Sequence, residues 1–235
     1  MRYYTPLRYP GGKAKLANFF KLLVKQNLLI GGYYIEPYCG GAAVGLNLLM
    51  NEYMSKIYIN DIDKSIYAFW YSVLNKTDEF CEKILDTNIT IDEWKKQREA
   101  YFNQNNISLL ERGFATFFLN RTNMSGILTG GVIGGINQEG KWKIDARFNK
   151  EELVKRIKRI SLYKERISLF NEDALIFTKR VIKDLPNNTL IYFDPPYYVK
   201  GKDLYLNYYK HNDHVNISKF VKNIKNKYWV ITYDN

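Results

Sequence analysis

The residues best suited to do chemistry are Asp194-Pro195-Pro196-Tyr197, which close an apolar run over residues 189–194 (TLIYFD). Two prolines end a predicted buried strand and give a stiff backbone without N–H donors. The carboxylate of Asp194 and the carbonyl of Pro195 are then left as acceptors, a pair that suits an amino group with two hydrogens to donate. The ring of Tyr197 can stack on a planar base. The alternative is a turn rich in Pro and Tyr with no chemical role.

A second candidate site is Glu36-Pro37-Tyr38-Cys39-Gly40-Gly41, at the end of an apolar and aromatic run over residues 33–39. Glycines after a first strand let the backbone approach a cofactor closely. The next predicted strand ends in Asp61, where an acid usually binds ribose hydroxyls. The pair suits a nucleoside cofactor, and the missing GxGxxG pattern disfavours NAD. A tight turn and a helix cap at Asp61 would also explain these residues.

A third motif, Arg8-Tyr9-Pro10-Gly11-Gly12-Lys13, lies near the N-terminus. The two glycines predict a turn, and we expect a helix to begin at Lys13. The lysine could meet a carboxylate, such as the methionine end of a cofactor. The motif is not a P-loop, because the Gly-x4-Gly-Lys-Ser/Thr spacing is missing. A solvated lysine beside a turn explains it equally well.

Strands and helices that alternate along the chain must position these motifs. Strands are predicted over residues 33–39, 56–61, 167–171, 189–194 and 228–233. Helices are predicted over residues 42–50, 66–74, 174–185 and 215–226. Alternation of this kind predicts an α/β protein with a doubly wound, Rossmann-like parallel sheet.

The middle of the chain has a different pattern. Residues 77–119 predict two or three helices, and residues 120–150 hold six glycines among basic and amide residues. Val132-Ile133 and Trp142-Lys143-Ile144 could form a small hairpin that turns near Glu139-Gly140. We therefore predict a discontinuous domain, residues 1–72 and 156–235, and a mainly helical inserted domain with a hairpin, residues 73–155.

The charge balance indicates an anionic partner. Lysine and arginine total 35 against 24 acidic residues, a net charge of +11. Nucleic acid is the usual partner of such a chain, although AT-rich genomes also encode lysine-rich proteins that have no such partner. Candidates for contacts with phosphates or bases in the inserted segment are Arg121, Lys141, Lys143, Arg147 and Lys150, with Asn120, Asn123, Asn137 and Gln138 for base edges. Many of these charges could simply be solvated.

Several classes of protein are disfavoured. Cys39 and Cys81 form no disulfide framework, and with His211 and His214 they give no metal-ligand spacing. We expect both histidines to be surface or cap residues rather than DNA contacts. No signal-like start and no apolar run of about 20 residues is found, so we expect a cytoplasmic chain with no membrane span.

Seven motifs in one order connect these observations. They are RYPGGK, EPYCGG, IND, NRT-x-x-SG, GGVIGGINQEGKWKIDARFN, NED and DPPYY, and they span about residues 7–233. The set resembles the Dam-type DNA N6-adenine methyltransferases of the alpha group, in which target recognition is inserted between the cofactor and catalytic motifs. The resemblance implies that a methyl group passes from S-adenosylmethionine to N6 of adenine in double-stranded DNA. The base would have to flip out of the duplex, and no metal is needed.

The resemblance also implies a role for each matched position. It implies cofactor contacts for Tyr9, Lys13, Tyr38, Gly40, Gly41, Asp61, Asp173 and Asp194, and a catalytic role for Asp194, Pro195, Pro196 and Tyr197. DNA contacts are expected from the inserted segment, at Arg121, Asn123, Lys141, Lys143 and Arg147.

Two features depart from the family pattern. Ala42 stands where family members usually have a third small residue, often glycine. The family fold also continues past the fifth strand into a further strand pair, whereas this sequence ends at Asn235, directly after YWVITYDN. We therefore expect an incomplete, exposed sheet edge at the fifth strand.

Three alternatives stay open from the residues. The chain could methylate N4 of cytosine, or RNA, although Asp194 is more typical of adenine N6 enzymes and cytosine enzymes often carry serine there. It could also be an inactive homologue that binds DNA or cofactor. The recognition sequence, and whether a cognate restriction endonuclease acts separately or a phage carries the gene, are not specified.

Overall fold

The computed structural model describes residues 4–8, 13–103, 107–196, 198 and 209–233. The chain forms two compact units. The first, which we call the sheet unit, comprises Lys13–Lys64 and Glu165–Asn235, and the second, the helical unit, comprises Met1–Gly12 and Ser65–Lys164. The predicted division into a discontinuous domain (residues 1–72 and 156–235) and an inserted domain (residues 73–155) stays a prediction.

Five parallel strands form one sheet. They are β1 (Gly32–Glu36), β2 (Met54–Asn60), β3 (Ile167–Phe170), β4 (Thr189–Phe193) and β5 (Tyr228–Ile231). Their order is β3-β2-β1-β4-β5, and every described pair is parallel. The predicted doubly wound sheet is confirmed, and its five carboxyl ends lie along one edge, where such sheets bind ligands.

The described residues also form helices, in both units. In chain order they are α1 (Ala17–Gln26), α2 (Ala43–Met50), α3 (Lys64–Asn75), α4 (Thr77–Asp86), α5 (Ile91–Phe102), α6 (Leu109–Thr122), α7 (Lys150–Ser161), α8 (Ala174–Val181) and α9 (His211–Lys222). The helix expected at Lys13 begins there as a short 3-10 helix, Lys13–Leu16, which leads into α1. No helix in the described ranges combines the length and the apolar content needed to cross a bilayer.

The core of the sheet unit lies on β1 and β4. Every residue of β4 is buried, as expected for a parallel strand covered on both faces. One cluster joins Ile35 of β1 and Ile191 and Phe193 of β4 to Phe177 of α8 and Ile217 of α9. This packing fixes the carboxyl end of β4, and with it the backbone that leads into Asp194.

Aromatic side chains form the core of the helical unit. Phe69 of α3 stacks on Phe117 of α6, with their ring centroids 6.0 Å apart, and Phe80 of α4 packs edge-on against both rings. Phe148 closes the cluster from the segment before α7. The two or three helices predicted over residues 77–119 are three, α4 to α6.

The hairpin predicted at Val132-Ile133 and Trp142-Lys143-Ile144 does not form. Within this described segment Val132 makes a single antiparallel bridge, and residues 142–144 form no strand. The reason is the side chain of Gln138, whose amide donates to the Ile133 carbonyl (2.8 Å) and accepts from the Ile144 amide (2.8 Å). The side chain thereby replaces the strand ladder that the alternating pattern predicted.

Candidate functional site

Asn60, the last residue of β2, ties together the ends of three strands. It is fully buried, and its amide nitrogen donates to the carbonyls of Pro37 and Glu172, each at 3.0 Å. Its side-chain oxygen accepts from the Glu172 amide, also at 3.0 Å. Asn60 thereby holds the turn after β1 against the loop after β3. We did not predict this role, although an asparagine that ends an apolar strand must find partners when buried.

The glycine turn and the predicted ribose-binding acid lie together. The amide of Gly40 donates to Oδ2 of Asp61 at 2.9 Å, and the amide of Asp63 donates to Oδ1 at 3.0 Å. Burial, followed by the charge of Asp63, raises the pKa of Asp61 to about 7, against the opposing effect of the two amide hydrogen bonds. Each carboxylate oxygen keeps a second lone pair for a ligand hydroxyl.

Ala42 adopts a backbone conformation that glycine accommodates more easily than other residues do. Its φ of 46° and ψ of 34° place it in the left-handed region, at the N-cap of α2, where a Cβ is disfavoured. At Gly45, one turn later, a Cβ would make tight contacts, 3.0 Å from Oε2 of Glu36 and from the ring of Tyr34. The absence of a side chain at Gly45 thus lets the backbone of α2 approach the end of β1 closely.

Glu36 is a buried acid to which we had assigned no role. It ends β1 with only 4% of its surface exposed, and within the described residues its Oε2 is buried without a hydrogen-bond partner. Burial, followed by the charge of Asp194, raises the pKa of Glu36 well above its usual range. A carboxyl group at the end of an otherwise apolar strand was the available signal in the sequence.

Asp194 follows β4 directly, as predicted, and its carboxylate is held on one side. Oδ1 lies 3.2 Å from Nζ of Lys13 and 2.5 Å from Oγ1 of Thr232. Burial raises the pKa of Asp194, while the Thr232 hydrogen bond and the Lys13 charge oppose that rise. Lys13 thus meets a carboxylate, that of Asp194, and its predicted cofactor contact stays a prediction. Pro195 is buried and Pro196 half-buried.

Other predicted cofactor residues surround this edge of the sheet. The hydroxyl of Tyr38 lies 2.8 Å from that of Tyr209. Asp173 caps α8, because its Oδ1 accepts from the amides of Leu175 and Ile176, each at 3.0 Å. Gly41 is buried in the turn after β1. Tyr9 and Tyr197 lie outside the residues that the structure describes.

The two histidines differ in their surroundings. His211 is the first residue of α9 and is exposed, in agreement with the expected surface or cap position. His214 is buried, so the surface position expected for it is wrong. Its ring lies among those of Tyr198, Tyr209 and Tyr233, at centroid distances of 5.0, 5.5 and 5.7 Å.

Among the predicted DNA contacts, the asparagines of α6 and its C-terminus hold the fold of the helical unit. Asn120 accepts from the Arg8 amide (2.7 Å) and donates to the carbonyls of Arg8 (2.8 Å) and Gly126 (3.0 Å). Asn123 accepts from Nε1 of Trp94 at 2.7 Å. Its amide nitrogen also donates to the carbonyls of Ile127 and Leu128. Both side chains are buried with their hydrogen bonds made, so neither presents an amide to solvent.

Arg121 lies in a cluster of arginines. Its guanidinium donates to the carbonyl of Arg147 through Nε (2.7 Å) and a second nitrogen, and to the carbonyl of Pro6 at 3.4 Å. Burial, followed by the charges of Arg8, Arg156 and Arg147, lowers the pKa of Arg121 to about 9. No carboxylate of the described chain pairs with Arg121. The cluster is therefore a concentration of positive charge.

An exposed patch of cations and one indole lies next to this cluster in the chain. We call it the Trp142 patch, and it consists of Lys141, Trp142, Lys143 and Arg147. Trp142 is 59% exposed, with the Arg147 guanidinium 5.7 Å and the Lys141 ammonium 5.8 Å from its ring. Lys143 donates to the Gln138 carbonyl. Three of the five predicted DNA-contact residues therefore lie on the surface.

Comparison with known proteins identifies the family of the chain. Residues 9–234 match the family described as D12 class N6 adenine-specific DNA methyltransferase. The chain is also 26% identical, over 237 aligned positions, to the Type II methyltransferase M.MjaIII of Methanocaldococcus jannaschii, with 93% of this chain and 79% of that protein covered. The resemblance drawn from the seven motifs is confirmed. With the sheet order and the acids at its edge, this match shows that the chain belongs to the D12 class of N6 adenine-specific DNA methyltransferases.

Proposed function

We propose that this adenine-specific DNA methyltransferase takes its methyl group from S-adenosylmethionine and acts on an adenine turned out of the duplex. Asp194 would be the acceptor that engages the adenine amino group. The observation that carries the proposal is the carboxylate of Asp194 at the carboxyl end of β4, with both of its contacts in the described chain on Oδ1. Oδ2 is thereby left to accept a hydrogen bond from a substrate.

The residues present fit S-adenosylmethionine. Asp61 offers acceptor capacity for two ribose hydroxyls beside the backbone of Gly40. Asp173, one of whose oxygens caps α8, places a second acid on the β3 side of the sheet edge, where the resemblance expects the cofactor's adenine. The buried Oε2 of Glu36, which has no partner among the described residues, suits the positively charged amino group of the methionine part. A cation there would offset the burial of the carboxylate.

The adenine amino nitrogen needs help because its lone pair is delocalised into the ring. Hydrogen bonds from its two hydrogens to Asp194 and the Pro195 carbonyl would favour a pyramidal nitrogen with an available lone pair. When bound, S-adenosylmethionine supplies a methyl group on a sulfonium, whose C–S electron pair stays on sulfur as the N–C bond forms. The nitrogen would then lose one proton, with the Asp194 carboxylate as the proposed acceptor. Positioning and electrostatics supply most of the acceleration.

We propose base flipping because the adenine amino group must reach Asp194. The amino group of a paired adenine cannot reach Asp194 from inside a stacked duplex, so the nucleotide must leave the helix. An extruded base needs an aromatic surface to replace its stacking partners. Tyr197 is our candidate for that surface.

DNA contacts are proposed for the helical unit. The Trp142 patch and Arg121 supply positive charge that is suited to phosphates, and the exposed indole can stack on a base or pack in a groove. Asn123 was also predicted to contact DNA, but its side chain is buried with its hydrogen bonds made. We therefore place the contacts on the exposed cations.

A separate restriction endonuclease is the proposed protein partner. The support is the relative from M. jannaschii, whose name describes a Type II methyltransferase. Methylation mapped to one short sequence, together with protection of that sequence from an endonuclease that cuts it, would support the partnership. Methylation scattered over unrelated sequences would contradict it.

The proposal is tested on Asp194 with cofactor binding and transfer measured separately. Asp194→Ala and Asp194→Asn should fold, as judged by circular dichroism. Wild type should bind S-adenosylmethionine in a calorimeter and transfer a tritiated methyl group from it to DNA. Loss of the acceptor should reduce transfer by about 10²-fold or more, with the larger loss in the alanine variant. Near-full transfer in either variant would overturn the role of Asp194. DNA that stays unlabelled with the wild-type protein would overturn S-adenosylmethionine as the methyl donor.

A further inference from the structure

Thr232 lies outside the seven family motifs, and its hydroxyl contacts the carboxylate of Asp194. It follows β5, and its backbone amide donates to the Phe193 carbonyl at 3.0 Å, which extends the pairing with β4 by one residue. The hydroxyl is therefore positioned by the sheet itself. Its Oγ1 lies 2.5 Å from Oδ1 of Asp194 and 3.1 Å from the Tyr192 hydroxyl.

With Asp194 ionised, the order of protons in this chain of hydroxyls follows from the donors available. An ionised Asp194 has no proton to give, so the single O–H of Thr232 must donate to it. The other contact of Thr232 must then be an accepted hydrogen bond, and Tyr192 is its donor. Tyr192 is fully buried and packs on Phe20 with ring centroids 4.6 Å apart. The chain of donors therefore begins at a fixed point in the core.

We propose that Thr232, supported by Tyr192, is a positioning residue that fixes Oδ1 of Asp194 and so presents Oδ2 to the target amino group. The inference rests on the proposed role of Asp194 as the acceptor. A lone carboxylate can rotate about its Cβ–Cγ bond and exchange its two oxygens. Two donors on Oδ1, the Thr232 hydroxyl and the Lys13 ammonium at 3.2 Å, hold the carboxylate plane in one orientation before the substrate arrives.

The same contact affects ionisation. Burial raises the pKa of Asp194, and the hydrogen bond from Thr232 is the largest single effect that opposes this rise, ahead of the charge and the hydrogen bond of Lys13. Removing the hydroxyl should therefore move the acid limb of the pH–rate profile to higher pH. The titratable groups that act on the carboxylate from the surrounding elements are Lys13, Tyr34 and Glu36, and every variant compared below keeps all three.

The experiment compares four variants, with kcat measured at saturating S-adenosylmethionine and DNA across pH. Thr232→Val keeps the shape and removes the hydroxyl, whereas Thr232→Ser restores it. Tyr192→Phe removes only the supporting O–H. Thr189→Val is the matched control, because Thr189 is also buried and its hydroxyl donates to the Pro186 carbonyl at 2.6 Å. It lies at the opposite end of β4, about 16 Å from Asp194 at the usual strand rise.

We expect Thr232→Val to lower kcat about tenfold or more and to move the acid limb up by on the order of one pH unit. Thr232→Ser should recover most of both, and Tyr192→Phe should shift the limb in the same direction by less. A wild-type kcat and acid limb in Thr232→Val would overturn the proposal, provided that Asp194→Ala is inactive. If Asp194→Ala is active, the proposed function itself has failed. If Thr232→Val does not fold, an unchanged acid limb in Tyr192→Phe would overturn the inference.

Discussion

At the scale of single residues, burial determines how the acids at the strand ends behave. Asp61, Glu36 and Asp194 all lie at the carboxyl edge of the sheet, and burial is the largest cause of the raised pKa of each. An acid held in this way favours ligands that donate hydrogen bonds or carry positive charge. The edge is therefore suited to a cationic nucleoside and to an amino group.

The pKa of Asp61 predicts a pH dependence of cofactor binding. Because this pKa is raised to about 7, the carboxylate is ionised above that pH and protonated below it. If the ribose hydroxyls require the ionised form, affinity for S-adenosylmethionine should be constant above pH 7 and fall by about tenfold per unit below it. Calorimetric titrations between pH 5.5 and 8.5 measure this. Asp61→Asn should bind weakly with little pH dependence, and a wild-type affinity that does not change with pH would contradict the assignment.

Ala42 predicts a stabilising substitution. Its left-handed backbone costs an L-residue more than it costs glycine. Ala42→Gly should therefore raise the free energy of unfolding by about 0.5–1 kcal/mol, with methylation retained, as measured by denaturant unfolding. The control is Ala43→Gly, in the regular first turn of α2, which should lower stability by about 0.5–1 kcal/mol. Equal effects at the two positions would be inconsistent with strain at Ala42.

At the scale of elements, the hydrophobic pattern predicted which segments form buried strands and helices. It did not predict the loops and helix starts that hydrogen bonds from single side chains determine. Strands β1 to β5 lie in apolar runs that end in turn residues, so the sequence predicted their existence and their approximate positions along the chain. The hairpin was wrong because Gln138 spans the loop with its own amide. Helix α9 begins at His211, four residues before the predicted start at 215, because the Asp213 carboxylate accepts from the Lys210 amide at 2.8 Å and caps it.

The NRT-x-x-SG motif gives a prediction for the helical unit. Asn120 joins the backbone of Arg8 to the turn at Gly126, where a Cβ would come within 2.2 Å of the Arg8 carbonyl. Asn120→Ala should therefore lower the free energy of unfolding by about 1–3 kcal/mol, because buried backbone groups lose their partners. The exposed Asn137 is the control, and its alanine variant should change stability by less than about 0.5 kcal/mol. Denaturant titration decides, and a neutral Asn120→Ala would exclude the structural role.

The candidate site was predictable in part for a physical reason. Asp194, Gly40 and Asp61 stand out in the sequence because each follows an apolar strand, at the carboxyl end where parallel sheets bind ligands. Thr232 and Asn60 act through partners 38 and 112 positions away, and no local pattern encodes such a pairing. Only the parallel alignment of neighbouring strands brings these side chains to the same edge.

At the scale of the whole molecule, a net charge of +11 makes salt dependence the measure of DNA binding. Arg147→Ala and Lys143→Ala should each weaken binding and reduce the slope of log K against log salt by about 1, with cofactor affinity unchanged. Lys95→Ala, an exposed cation on α5 that pairs with Asp92 at 3.8 Å, is the control and should keep the wild-type slope. Fluorescence anisotropy at several salt concentrations measures all three. Identical slopes would remove the Trp142 patch from the interface.

Methylation of adenine through the carboxylate of Asp194 is tested most directly by identifying the methylated base. Purified protein and tritiated S-adenosylmethionine should be incubated with unmethylated DNA, which is then digested to nucleosides and separated by mass spectrometry. We predict that wild type places the label on N6-methyl-2′-deoxyadenosine and that Asp194→Ala gives about 10²-fold less of that product or none. Label on N4-methyl-2′-deoxycytidine would contradict methylation of adenine, and an undiminished adenine product from Asp194→Ala would contradict the role of Asp194.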